Sequence, residues 1–153
     1  MNSSTKRRST NKQKGTRRAK FQHSIASFEK DITVRFLEIL MMVKLYHWKT
    51  YSYATHKATD DLYTELNENI DKFIEVLLGK AGNRINLMGK KNISLIDLNS
   101  PESLRNKINS FKSYLVSITN SPAIKSMSNT DLLNIRDEIL GNLNHFLYLL
   151  TFK

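Results

Sequence analysis

Apolar residues recur at intervals of three and four along four stretches of this chain, which is the spacing of one face of an α-helix. The stretches run from about residue 22 to 51, 52 to 78, 100 to 121 and 128 to 150. Each is long enough to cover one side of a hydrophobic core, so the pattern predicts four amphipathic helices. The clearest stripes are Ile25, Phe28, Ile32, Phe36, Ile39 and Val43; Leu62, Leu66, Ile70, Phe73 and Leu77; Leu104, Ile108, Phe111, Leu115 and Ile118; and Leu132, Ile135, Ile139, Leu143 and Phe146.

Polar residues mark several of the predicted helix ends. Ser100 precedes Pro101, and proline is favoured at the first position of a helix. Gly79 and Gly82 follow the second stripe and predict its end, because glycine readily adopts the left-handed conformation of a C-cap. Ser128, with an acid three residues later, is a variant of the capping box and predicts the start of the fourth helix.

The connection between the second and third helices, residues 80–99, is longer than most helix connections. Adjacent antiparallel helices need only a short connection, whereas a connection of this length can run along the bundle as a crossover. A period of two is present only at residues 93–98, so no sheet is expected. We therefore predict an all-α, ferritin-like four-helix bundle over residues 22–153, with the long crossover between helices 2 and 3.

Composition excludes several kinds of site and location. The 153 residues include no cysteine, which excludes disulfides, thiolate zinc sites, iron–sulfur clusters and a cysteine nucleophile. The longest strongly apolar run, residues 39–43, is far shorter than the roughly 20 residues of a membrane span. The basic N-terminus is not followed by the apolar segment of a signal peptide. We expect a protein that is intracellular or packaged in a virion, without a membrane partner, and not secreted.

Positive charge is concentrated at the N-terminus. The net charge is +10, and all 14 acids lie beyond residue 28. A basic, polar segment without apolar residues has little to bury, so residues 1–21 are predicted to form a disordered arm. Contact with nucleic-acid phosphates, nuclear import and a solubilising role all remain open for it. Its cationic residues are Lys6, Arg7, Arg8, Lys12, Lys14, Arg17, Arg18 and Lys20.

The second helix carries four potential metal ligands on one narrow face. At about 100° per residue, His56, Asp60, Asp71 and Glu75 point at roughly 0°, 40°, 60° and 100°. A solvated charged face is the ordinary explanation for such residues. However, apolar residues fall within the same stripe, which is more typical of an interface.

The spacing of these four residues along the helix prevents a single chain from binding one metal ion with all of them. Asp60 and Asp71 are about 16 Å apart along the helix axis, whereas metal ligands lie about 2.0 to 2.2 Å from the ion. Two antiparallel copies related by a twofold axis would bring the His56 end of one chain to the Glu75 end of the other and generate two equivalent sites. His47, at the end of the first helix, is a further candidate ligand, or else a buried structural histidine.

The residues around these positions resemble the signature of Dps proteins, the DNA-binding ferritin-like proteins of starved cells. The matching segments are the run from Lys44 to Lys49, His56 with Asp60, Asp71 with Glu75, and the Leu78-Gly79 pair. More narrowly, the chain resembles uncharacterised ferritin-like proteins of large DNA viruses. The likeness covers residues 22–153. It implies an iron site between subunits, with His47, His56 and Asp60 from one chain and Asp71 and Glu75 from the other.

The chain departs from the Dps pattern at two points. Eight residues separate His47 from His56, about three fewer than is usual in that family, so the turn between the helices must be tighter. The glycine that commonly follows the His-Trp motif is also absent. Trp48 is adjacent to His47, and the resemblance implies that it takes up stray oxidising equivalents; packing is its other interpretation.

These observations favour two functions over a third, a nuclear-targeted interaction bundle without DNA contact. In the first, a Dps-like ferroxidase oxidises Fe(II) with peroxide or dioxygen at inter-subunit sites and contacts nucleic acid through its arm. The ligand set also suits zinc or manganese. In the second, a non-enzymatic DNA-packaging or virion protein holds a structural or idle metal site. Both require a homo-oligomer, at least a dimer, and a closed shell is a family-level expectation.

Overall fold

The computed structural model describes the backbone of residues 5–152 and the side chains of residues 15–152. Within that range the chain is all-helical, with four long helices and no strand, as the periodicity predicted. The long helices are α1 (Thr5–Lys49), α2 (Tyr53–Ala81), α3 (Pro101–Ser117) and α5 (Thr130–Leu149). A 3₁₀ turn, Ile118–Asn120, and a short helix α4, Pro122–Lys125, connect α3 to α5.

The predicted stripes form one continuous hydrophobic core. Phe36 of α1 lies at its centre and is 1% exposed. Its ring meets that of Phe73 edge-on at 5.4 Å and that of Phe111 at 6.2 Å, so three helices converge on it. Edge-to-face pairs of this kind add about 0.5 to 1.5 kcal/mol beyond the area that they bury.

Side-chain bonds show how the helices run. Asn69 and Lys72 of α2 contact Asn142 and Glu138 of α5, so these helices are antiparallel. In α3, the Tyr114 hydroxyl donates to Asp31 near the start of the bundle part of α1, which makes α1 and α3 antiparallel as well. Lys44 and Phe36 of α1 contact Tyr63 and Phe73 of α2, so α1 and α2 are also antiparallel. α2 therefore runs parallel to α3, and the chain must return along the bundle between them.

The connection over residues 82–100 makes that return. At one end the Asn83 amide donates to Glu29 at 3.1 Å. At the other end Lys49 Nζ contacts Asp97 Oδ1 at 2.6 Å. Since Glu29 and Lys49 are twenty residues apart on α1, the connection follows α1 for about 30 Å.

The helix ends predicted at Ser100 and Gly82 are confirmed in detail, and Ser52 adds a further cap. Ser52 accepts from the Thr55 N–H as the N-cap of α2, and Ser100 forms a capping box with Ser103 at α3. Gly82 ends α2 with φ of 69°, a left-handed C-cap, while Gly79 lies inside the helix. α5 begins at Thr130 rather than at residue 128, and the side chain of its N-cap residue, Asn129, donates to the Ile124 carbonyl instead of capping the helix.

The N-terminal part of the chain differs from the prediction. Residues 5–21 were expected to be a disordered arm, but they are helical and continue into α1 without a break. Gly15, the one glycine in this segment, is tolerated within a helix at a cost of about 1 kcal/mol relative to alanine. The division of the chain at residue 21 therefore has no counterpart in the backbone and stays a prediction.

Candidate metal centre

The tight junction between α1 and α2 brings the two predicted histidine ligands together. α1 ends where the Thr50 N–H donates to the Tyr46 carbonyl, and α2 starts at the Ser52 cap. The short connection places His47 of the last turn of α1 beside His56 of the first turn of α2. Their rings stack, with centroids 3.9 Å apart and an interplanar angle of 24°.

Each histidine is bonded to the backbone of the other. His47 Nδ1 is 3.0 Å from the His56 carbonyl oxygen, and His56 Nδ1 is 3.0 Å from the His47 carbonyl oxygen. A carbonyl can only accept, so in both rings Nδ1 carries the hydrogen and donates it. In the neutral rings Nε2 then holds the free lone pair, which is the nitrogen that a metal would bind. We call this reciprocal pair the histidine clasp.

Thr59 supports the clasp from the next turn of α2. Its Oγ1 lies 3.3 Å from His47 Nδ1 and donates to the carbonyl of Thr55 or His56. Thr59 is fully buried and His47 is 8% exposed, so this arrangement is rigid. The clasp therefore also has a structural role, because it ties the end of α1 to the start of α2.

The three predicted carboxylate ligands are not part of the clasp. Asp60 is half-buried one turn after His56, whereas Asp71 and Glu75 are exposed further along α2. Over residues 15–152, none of the three carboxylates has a hydrogen-bond or ion-pair partner. In the same part of a single chain, no three His, Asp or Glu side chains are close enough together to hold a metal ion.

An apolar groove runs between α1 and α2 on the face that carries these residues. At about 100° per residue, Asn67 and Asp71 in its wall point within about 60° of His56 and Asp60. The centre of the groove, shared by its two halves, is formed by Leu37, Leu40 and Asn67. One half adds Met41, Lys44, Leu45, Trp48, Tyr63 and Leu95, and the other adds Thr33, Phe36, Ile70, Asp71 and Ile74.

The two ends of this groove carry opposite charges. At one end Lys44 Nζ lies 4.7 Å from the centre of the Tyr63 ring and 5.9 Å from that of Trp48, a cation–π arrangement. At the other end lies Asp71. Trp48 is 67% exposed, so the aromatic predicted to lie near the site is on the surface of the isolated chain.

A buried acid that was not predicted from the sequence, Glu29, lies near the middle of α1. Glu29 is 4% exposed; its Oε2 accepts from Asn83, and its Oε1 has no partner among the described residues. Burial raises the pKa of this carboxyl, and the Asn83 bond offsets part of the effect. Its position between Phe28 and Ile32 of the core stripe is the signal that would have found it.

Other residues near the candidate site were also not predicted from the sequence. Lys44 and Tyr63 fall on the same helix faces as the predicted ligands, so the stripe could have revealed them. Thr59 could not be assigned, because its bond depends on how tightly the turn closes.

Of the predicted nucleic-acid contacts, Arg17, Arg18 and Lys20 lie on an exposed part of α1. Lys6, Arg7, Arg8, Lys12 and Lys14 fall outside the described side chains. No helix in the described part of the chain has the length and apolar character of a membrane span.

Comparison with known proteins gives one family and one relative. Residues 47–150 match a family described as "Family of unknown function (DUF5856)", a region that starts at His47 and includes every predicted metal ligand. An uncharacterised 14.6 kDa protein from the mobD-ri intergenic region of Enterobacteria phage T4 is 43% identical over 53 residues. That match covers 32% of this chain and 41% of the phage protein. No solved structure matches the chain. Since the family match spans about two thirds of the sequence, the chain belongs to the family of unknown function DUF5856.

Proposed function

We propose that this protein is a Dps-like ferroxidase, a homo-oligomer that binds Fe(II) between two twofold-related chains and oxidises it with peroxide or dioxygen. The observation that carries the proposal is the α2 face on which His56 and Asp60 lie at one end and Asp71 and Glu75 at the other, with an apolar groove between them. The crossover along α1 supports the ferritin-like part of the proposal.

The groove is placed where a twofold axis would have to pass. The two ligand pairs on α2 have their midpoint between residues 65 and 66. The groove is centred at Asn67, within two residues or about 3 Å of that midpoint. A second copy packed antiparallel across the groove would therefore bury its apolar centre and align both ligand pairs in one operation.

Charge complementarity favours a second copy as the occupant of the groove. Tyr63 and Asp71 each lie four residues from Asn67, on opposite sides of it. Twofold rotation thus brings the Lys44 end of one chain against the Asp71 end of the other. A self-complementary surface of this kind is what an isologous dimer requires.

The donor set fits iron as the substrate. The histidine clasp leaves two imidazole lone pairs on one chain, with Asp60 one turn away, and the second copy supplies Asp71 and Glu75. Imidazole and carboxylate suit iron, and zinc or manganese are accepted alternatives. The carboxylates favour Fe(III) over Fe(II) by their negative charge. Each Fe(II) loses one electron, and peroxide takes up two electrons and two protons to give water.

The remaining assignments belong to the same proposal. The cationic N-terminal segment contacts nucleic acid through its phosphates, and the oligomer is at least a dimer and extends to a shell. The phage relative supports an intracellular or virion setting. A packaging protein with an idle metal site is the competing function, and it differs in having no oxidation activity.

Complementation between two inactive variants tests the site. Asp60→Asn damages one half of each site and Glu75→Gln damages the other half. A heterodimer with one variant in each chain contains one doubly damaged site and one intact site. We expect each homodimer to lose most of its Fe(II) binding and oxidation, and the purified heterodimer to recover about half of the wild-type sites. Asp61→Asn, an exposed acid off the stripe, is the control.

Two readings are taken from each sample. Quenching of Trp48, the only tryptophan, reports anaerobic Fe(II) binding, and ferric absorbance after peroxide addition reports oxidation. Recovery in the heterodimer requires ligands from both chains. Absence of recovery, or full activity in both variants, overturns the inter-subunit site. Binding without oxidation favours the packaging protein.

A further inference from the structure

The basic segment continues the bundle as a helix. α1 runs from Thr5 to Lys49 as one element, and among its described side chains, from residue 15 onward, the first buried one is that of Ile25. Residues 15–23 are exposed. The part of α1 from residue 5 to residue 21 is about 24 Å long at 1.5 Å per residue. We call this part the basic helix, and its direction is set by the bundle that anchors it.

The composition of the basic helix indicates which kind of partner would bind it. Apart from Ala19 and Phe21, residues 5–21 include no apolar side chain, so no stripe is present for a protein groove or a coiled coil. The segment has eight cations and no acid. The first turn of α1 also includes no acidic residue to offset the positive end of the helix dipole. The positive charges therefore repel one another along the helix, and a bound polyanion would reduce that repulsion.

We infer that the basic helix binds double-stranded DNA as a rigid extension of the bundle, lying in the major groove. The inference rests on the nucleic-acid contact in the proposed function and adds the form of the contact. An α-helix is about 10 to 12 Å across with its side chains, and the major groove of B-form DNA is about 12 Å wide. Over about 24 Å the basic helix passes roughly seven phosphates on each strand.

Breaking the helix while retaining its charge separates a rigid extension from a flexible arm. Gln22 is exposed, lies between the basic helix and the first buried residue, and carries no charge. In the full-length chain, Gln22→Pro removes the backbone bond to residue 18 and kinks α1, whereas Gln22→Ala keeps the helix. We expect Gln22→Pro to weaken binding to a labelled DNA duplex on the order of tenfold, because the segment must then be ordered upon binding. Gln22→Ala should bind like the wild type.

A charge variant separates failure of this inference from failure of the nucleic-acid contact itself. In full-length protein, Arg17→Gln with Arg18→Gln should reduce the slope of log affinity against log salt by about 1.8, or roughly 0.9 for each lost phosphate contact. If the slope is unchanged, the basic helix does not touch the phosphates and both proposals fail. If the slope falls but Gln22→Pro binds as tightly as Gln22→Ala, the contact stands and the rigid helix is wrong.

A comparison of DNA and RNA duplexes tests docking in the major groove independently. The major groove of an A-form RNA duplex is too deep and narrow for side chains to enter. At matched length and salt, the wild-type protein should therefore bind the DNA duplex several-fold more tightly than the RNA duplex. Equal affinity for both would overturn docking in the major groove. Circular dichroism of each variant verifies that the bundle is folded.

Discussion

The two sides of α2 differ in whether their polar side chains have partners within the described part of the chain. Toward α5, Asn69 donates to the Asn142 side chain at 2.8 Å, and Asn142 donates in turn to Glu65 at 2.9 Å. Further along the same contact, Lys72 pairs with Glu138. These polar groups are satisfied within the chain, and we call this side of α2 the closed face.

The side of α2 along the groove with α1 is the open face. Its carboxylates, those of Asp60, Asp71 and Glu75, have no partner in the described part of the chain. Exposed Leu37 and half-buried Ile74 lie in the groove beside them. An acid on the closed face already contributes to folding, whereas an acid on the open face can serve a ligand or a second copy. The difference indicates which carboxylates to expect in a metal site.

The largest effect is expected from placing a charge in the centre of the open face. Leu37 is 37% exposed, so Leu37→Glu should leave the monomer folded. In a dimer that closes over the groove, the new carboxylate would be buried without a partner, which costs roughly 3 kcal/mol or more. The dimer dissociation constant should then rise at least about 100-fold, as measured by sedimentation velocity.

Val116→Glu provides the matched control on another side of the bundle. Val116 is 58% exposed on α3, away from the groove. Its substitution introduces the same charge and should leave dimerisation unchanged. A dimer that survives Leu37→Glu, or dissociates equally with both variants, would place the interface elsewhere.

A smaller effect is expected when the same residue type is removed from each side of α2. Asn69→Ala leaves the half-buried Asn142 carbonyl without its donor and should lower the free energy of unfolding by about 1 to 2 kcal/mol. Asn67→Ala, two residues earlier on the open face, should change the free energy of unfolding of the monomer by less than about 0.5 kcal/mol. Both variants gain the same helix propensity from alanine, so their difference reports the closed face. Equal denaturation midpoints in urea would contradict the contrast.

The four long helices were predictable because each buries a stripe at helical spacing. The caps at Ser52 and Ser100 were predictable for a related reason, since side-chain capping is a local interaction that adjacent residues encode. The helical form of residues 5–21 was missed, because low burial was taken to mean disorder. Continuity with an anchored helix supplies the nucleus that an isolated segment lacks.

Only part of the candidate site was predictable from the sequence. Helical spacing places His56 and Asp60 on the same face as Asp71, and that face borders the groove. The histidine clasp was not predictable, because each ring is bonded to a backbone carbonyl whose position depends on the turn. Ligation and twofold pairing stay predictions, since both require groups from outside a single chain.

Glu29, near the middle of α1, offers a pH-dependent test outside both faces of α2. Its pKa is raised by burial, so the folded state holds the proton more tightly than the unfolded state does. The wild type should therefore lose stability as pH rises from the ordinary glutamate pKa through the raised value. Glu29→Gln stays neutral and keeps an oxygen for Asn83. It should match the wild type at low pH and exceed it at neutral pH, on the order of 1 kcal/mol. Parallel stability curves across that window would contradict a buried carboxyl with a raised pKa.

The smallest effect is expected from the exposed ion pair of the closed face. Lys72 Nζ is 3.6 Å from Glu138 Oε2, and both side chains are more than half exposed. Water screens the attraction, and ordering two long side chains offsets much of the gain. Lys72→Met should therefore lower the free energy of unfolding by no more than about 0.5 kcal/mol, and added salt should reduce the difference further. A loss as large as that of Asn69→Ala would mean that charge pairing, rather than buried hydrogen bonds, holds α2 to α5.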